Sequence, residues 1–152
     1  MLMPYEFLLT DINKNLTEKA IGTDKGLAKI GDGIVNLAYS VAKSIYLTRN
    51  NASKRSIRTG MKVGKNILAK ALKEASMKSF AKNRADSHDL ADTVESLIAY
   101  VWLSGKISTK EIIDFLASNF SGDLNNRVQE INSARQAFTN LLKLIKKFIP
   151  VF

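Results

Sequence analysis

Proline stands only at positions 4 and 150 of this 152-residue chain. Between those ends nothing breaks a helix by ring geometry or by a missing amide proton. Apolar residues recur in steps of three and four, and period-2 alternation is hard to find. The chain therefore reads as all-α. Its length suits one domain, residues 1–152, with a core of its own.

The spacing predicts a short helix over residues 5–16 and a long one over 25–49. In the long helix Leu27, Ile30, Ile34, Leu37, Val41 and Ile45 fall on one face. Val35 and Leu47 widen that face, which marks the helix as central. Gly31 and Gly33 lie inside it, each at a cost of about 1 kcal/mol against alanine. Such a cost points to a close approach to the backbone around Asp32. Further helices are expected over 62–76, over 87–103 with Ser87 as N-cap, up to 119 behind a Ser108–Glu111 capping box, and over 124–149. Polar loops cover 50–60 and 77–87. The basic amphipathic tail of the last helix reads as core packing or a subunit contact.

Charge and composition exclude several classes. The net charge of +9 favours anionic partners, nucleic acid ahead of a membrane surface. There is no cysteine, so no disulfide or thiolate metal site exists, and a single histidine excludes a multi-histidine zinc centre within one chain. No apolar run approaches the roughly 20 residues of a membrane span. The start, from Met1 to Glu6, lacks the basic and apolar parts of a signal peptide, so a cytoplasmic location is expected.

Two acidic segments carry the chemistry. Asp32 sits between two glycines. Asp92 and Glu95 lie three apart, so both carboxylates leave one side of their helix, with His88 and Asp89 a turn earlier. Alone, such a pair is an ordinary solvated face near a helix start, where the dipole favours carboxylates. Together the three would make an oxygen-only pocket for a divalent cation. Between the segments lies a one-sided basic block that includes Arg49, Lys54, Arg55, Arg58, Lys62 and Lys65, with Glu74 its only acid. Phosphate contact explains such a block better than a generic solubilising surface does.

Taken in order, the segments resemble the two signature regions of the ribonuclease III endonuclease domain. Ile30-Gly31-Asp32-Gly33-Ile34-Val35-Asn36-Leu37 resembles the family's Leu-Gly-Asp-x-Val-Leu-Asn-Leu. Ala91-Asp92-Thr93-Val94-Glu95-Ser96-Leu97-Ile98-Ala99 resembles its Ala-Asp-x-Phe-Glu-Ala-Leu-Ile-Gly. The intervening Asn66–Leu72 is similar to the family's middle helix. The likeness spans roughly 24–120 and leaves the segment after Phe120 unmatched. It is nearest the short archaeal ribonuclease III-like and bacterial Mini-III groups, which lack a separate double-stranded-RNA-binding domain, and none is expected here.

The resemblance implies a ribonuclease III endonuclease-domain fold and a homodimer paired through its first signature helices. It implies a Mg²⁺-dependent (or Mn²⁺-dependent) endoribonuclease acting on double-stranded or structured RNA, with Asp32, Asp92 and Glu95 as metal ligands and catalytic residues. No membrane partner and no small-molecule cofactor are implied. One departure stands out. The family motif has a glutamate four residues before the aspartate and often another upstream, where this chain has Ala28 and Lys25. Asp24 or Asp89 is a conceivable substitute. The alternative reading is a catalytically inactive protein of the same fold that binds structured or ribosomal RNA.

Overall fold

The computed structural model describes residues 5–53 and 55–151, whose regular structure is helix alone. A 3-10 turn, Glu6–Leu9, leads into α1 (Thr10–Lys14), followed by α2 (Glu18–Gly22), α3 (Lys25–Arg49), α4 (Lys65–Glu74), a second 3-10 turn (Lys78–Phe80), α5 (Ser87–Leu103), α6 (Thr109–Asn119) and α7 (Arg127–Lys146).

The central helix is α5, not α3. Leu90, Ala91, Val94, Leu97, Ile98, Tyr100, Val101 and Leu103 are all buried, and with Thr93, Glu95 and Ser96 also inside, α5 is enclosed on most sides, as a core helix is. Its two buried small polar residues anchor the junction between α2 and α3. The Thr93 hydroxyl donates to the Gly22 carbonyl at 2.8 Å, and the Ser96 hydroxyl to the Asp24 carbonyl at 2.9 Å. Helices α3, α4, α2 and α7 pack around it.

On α3 the buried face is Leu27, Ile34, Val35, Ala38, Tyr39 and Ala42. Ile30, Leu37 and Val41, expected inside, are instead 39%, 56% and 37% exposed. With Gly33 they form an apolar stripe along the outer side. Helical periodicity cannot separate a face turned to the core from one turned to another partner.

Gly31 and Gly33 also part company. A Cβ on Gly31 would sit inside the Glu95 carbonyl group, so α3 and α5 cross with their backbones in contact. A Cβ on Gly33 would meet nothing within 4 Å.

Several expected boundaries shift for local reasons. The 5–16 segment divides into a 3-10 turn and α1, and α2, capped by Thr17, was not expected. The N-cap of α5 is Asp86, one residue earlier than Ser87, and it forms a capping box with Asp89. Helix α4 starts at Lys65 because the backbone of residues 57–63 is held by side chains of α3. Asn126 caps α7, whose Leu141, Leu142 and Ile145 are buried, so the basic tail packs into the core. The Ser108–Glu111 capping box of α6 forms as expected.

A carboxylate on α7 ties this helix to α3. Glu130 is buried and accepts from the Tyr39 hydroxyl and the Lys43 ammonium, each at 2.8 Å, and from Arg127 at 3.0 Å. Burial alone would raise its pKa, but the three donors outweigh burial and hold it below the ordinary carboxyl range.

Replacing Gly31 by alanine is expected to lower stability by about 3 kcal/mol or more, since the crowding is against backbone. Replacing Gly33 is expected to raise it by up to about 1 kcal/mol. Urea midpoints of the two variants test this, and equal effects would refute the backbone contact.

Candidate active site

The close crossing at Gly31 sets the site. Asp32 follows it on α3, while Glu95 supplies the touching carbonyl on α5 and Asp92 lies one turn before it. All three side chains line one cavity of about 330 Å³. Its wall also includes Ala28, Val63 and Leu68, and its cationic rim is Lys25, Lys29, Lys62 and Lys65.

Asp32 is held by Asn36, one turn on. The Asn36 amide donates to the Asp32 carboxylate at 3.1 Å and to its carbonyl at 2.9 Å. The other end of the Asn36 side chain accepts from the Val63 N–H at 2.8 Å. Asn36 thus ties the carboxylate to the segment that leads into α4. It is part of the first sequence motif, but its contact with Val63 could not be read from sequence.

Glu95 is almost fully buried. Burial, then a hydrogen bond with Asp32 and the charges of Asp32 and Asp92, push its carboxyl up to about 8, with Lys65 pulling the other way. Asp92 is more open and is engaged from outside by Lys25 at 3.1 Å and by His88 at 3.5 Å. The Lys25 ammonium is in turn held above its ordinary range by that hydrogen bond and by the charge of Asp92.

Among the described residues no three acidic or histidine side chains stand already gathered as a metal-ligand group. Two features are consistent with that. Burial and the neighbouring acids hold the Glu95 carboxyl well above its ordinary range, and Lys25 occupies Asp92. The two carboxylates conceivable as substitutes are committed elsewhere. Asp24 caps α3 by accepting from the Leu27 N–H, and Asp89 closes the α5 capping box and pairs with Lys82. The position of the family's glutamate is the buried methyl group of Ala28, facing the cavity.

Of the basic residues singled out in the sequence, Lys62 and Lys65 reach the cavity. Arg49, Arg55 and Arg58 are exposed but do not line it, and Lys54 lies outside the described residues. Lys29, which does line it, was missed because nothing in its flanks distinguishes it from other surface lysines. No described helix is long and apolar enough to cross a membrane.

A family model described as Ribonuclease III matches residues 25–150. That span includes α7, which the motif resemblance left unmatched. No curated protein matches the chain.

The pKa of Glu95 is raised on folding, so the folded state binds its proton more tightly than the unfolded chain. The stability this contributes is complete below the ordinary value of 4.5 and is lost as pH rises through about 8. Thermal melts in EDTA from pH 5 to pH 9 should therefore show Glu95→Gln gaining on the wild type as pH rises. Parallel curves would refute the shift.

Proposed function

Because the chain belongs to the ribonuclease III family, we propose that it is a Mg²⁺-dependent (or Mn²⁺-dependent) endoribonuclease that hydrolyses phosphodiesters of double-stranded or structured RNA. Family membership supports a ribonuclease-type function in general. The observation that carries the finer reading is the meeting of Asp32, Asp92 and Glu95 in one cavity rimmed by lysines.

The donor set fits a hard dication. Its ligand atoms are oxygens alone, which suits Mg²⁺ or Mn²⁺ and not zinc. The group is also electrostatically incomplete, since burial and neighbouring acids keep Glu95 protonated to near pH 8. A dication removes that penalty. When bound, it supplies a Lewis acid that activates water and steadies the leaving 3′ oxygen, leaving 5′-phosphate and 3′-hydroxyl ends.

The protein's own residues do the remaining work. Asp32, oriented by Asn36, would hold the ion together with Asp92 and Glu95. To serve as ligands, Glu95 would have to be ionised and Asp92 free of Lys25. Lys62 and Lys65 draw the phosphate to the rim, and Arg49, Arg55 and Arg58 extend the cationic surface for the rest of the RNA. No small-molecule cofactor is needed. A cysteine-free chain suits a reducing cytoplasm.

The homodimer is part of the same proposal. Ile30, Gly33, Leu37 and Val41 leave an apolar stripe on α3 that a second copy would cover, each helix laying the same stripe on the other about a two-fold axis. Leu37→Lys is expected to turn a dimer into a monomer in sedimentation. An unchanged mass would remove the dimer from the proposal.

Ala28 and the Lys25–Asp92 ion pair favour a second reading, an inactive protein of this fold that binds structured or ribosomal RNA. Cleavage of a labelled RNA duplex in Mg²⁺ or Mn²⁺ separates the two. Asp32→Asn and Glu95→Gln should each be slower than wild type by at least the roughly 100-fold that even outer-shell changes reach. If wild type and variants are equally inert yet bind RNA alike, the second reading stands.

A further inference from the structure

Residues 57–63 run beside α3 as neither helix nor ladder strand, yet every second one is hydrogen-bonded to it. Asn36 accepts from the Val63 N–H at 2.8 Å. The Ser40 hydroxyl accepts from the Met61 N–H at 3.1 Å and lies 3.5 Å from the Met61 carbonyl. Ser44 accepts from the Thr59 N–H at 3.0 Å and lies 3.1 Å from the Thr59 carbonyl, its one proton shared with the carbonyl of Ser40 at 2.8 Å. Thr48 accepts from the Ile57 N–H at 2.9 Å and donates to the Ile57 carbonyl at 3.2 Å. Two repeats nearly coincide here. Four residues of α-helix rise about 6.0 Å, and two residues of extended chain about 6.6 Å. A row of hydroxyls, each able to accept and to donate, stands where a neighbouring strand's peptide groups would be.

This pairing uses one edge. In an extended chain the N–H and C=O groups of successive residues point to opposite sides. Those of Arg58, Gly60 and Lys62 therefore face away from α3, and among the described residues they make no backbone hydrogen bond. All three residues are exposed, whereas 57, 59, 61 and 63 are partly or fully buried. A bare edge invites another protein strand, and charged side chains are a standard defence against one. Arg55, Arg58 and Lys62 supply that defence here. The same edge suits a ribose–phosphate chain. Phosphate oxygens accept from the N–H groups and the cations, and 2′-hydroxyls can donate to the carbonyls, a contact DNA cannot make. The edge runs directly into the acidic cavity, which Lys62 and Val63 line.

We infer that Asn36, Ser40, Ser44 and Thr48 form a positioning row on α3 that holds residues 57–63 as a fixed edge for an RNA backbone, and that this edge tells RNA from DNA. The inference rests on the ribonuclease reading and adds how its substrate class is recognised.

Binding of a labelled RNA duplex and of the same-sequence DNA duplex, measured in EDTA, tests it without cleavage. Wild type should prefer RNA. Ser44→Ala combined with Thr48→Val should weaken RNA binding about tenfold and DNA binding less than about twofold. Thr48→Ser, which keeps the hydroxyl, should behave as wild type. Arg58→Ala should weaken both duplexes alike and reduce the salt slope by about one. If circular dichroism finds the double variant unfolded, Thr48→Val alone, at the end of the row, should show a smaller loss confined to RNA.

Equal losses for RNA and DNA, no loss at all, or no RNA preference in wild type would overturn the inference. So would an Arg58→Ala protein that self-associates while binding nucleic acid unchanged, since the edge would then serve a protein strand. RNA cleavage in Mg²⁺ without any RNA–DNA difference in binding would overturn the edge and leave the nuclease reading intact. A preserved difference without cleavage would do the opposite.

Discussion

The crossing of α3 and α5 at Gly31 and the Glu95 carbonyl is the contact on which the rest of the molecule depends. It is a contact between backbones, so no rotamer can loosen it. Because Asp32 is the next residue on one helix and Glu95 supplies the carbonyl on the other, the crossing fixes how far apart the backbones that carry these two carboxyls stand. The same approach buries Glu95 and brings its carboxyl to Asp32, which with burial is what raises its pKa. Packing and electrostatics in this site therefore have one origin.

The cavity holds opposed charges in layers. Carboxyls lie at its floor and lysines at its rim. Lys25 reaches inward to Asp92, while Lys65 partly offsets the strain on Glu95. Protons and ammonium groups offset part of the repulsion among these carboxyls. The lysines at the mouth also favour an anionic visitor.

Much of this was legible before any coordinates. The absence of internal proline and the three-and-four spacing gave an all-α chain. Helices α3 and α5 fall where periodicity puts them, although the N-cap of α5 is Asp86 and not Ser87, and α6 falls where its capping box puts it. Asp32, Asp92 and Glu95 were legible because their flanks are as distinctive as the acids themselves. What failed was anything decided by partners distant in sequence. Ile30, Leu37 and Val41 looked like core because an apolar stripe carries no label for what covers it. Gly31 and Gly33 looked equivalent, since only the neighbouring helix distinguishes them. The row Asn36, Ser40, Ser44 and Thr48 gave no signal in the sequence, because the backbone it holds follows a loop that has no periodicity of its own. Lys25 read as a departure from a motif, and its reach to Asp92 across 67 positions had no local signal.

Glu130 sets the limits of the smallest piece that can stand alone. The two motifs end well before it, and a fragment trimmed to them would discard α7. Lys43 and Tyr39 would then remain on α3 with their shared carboxylate gone, a cation and a hydroxyl built for an interior that no longer closes. The stretch that carries the motifs and the unit that folds are therefore different lengths of chain, and the longer one is defined by a buried side chain that does not line the cavity.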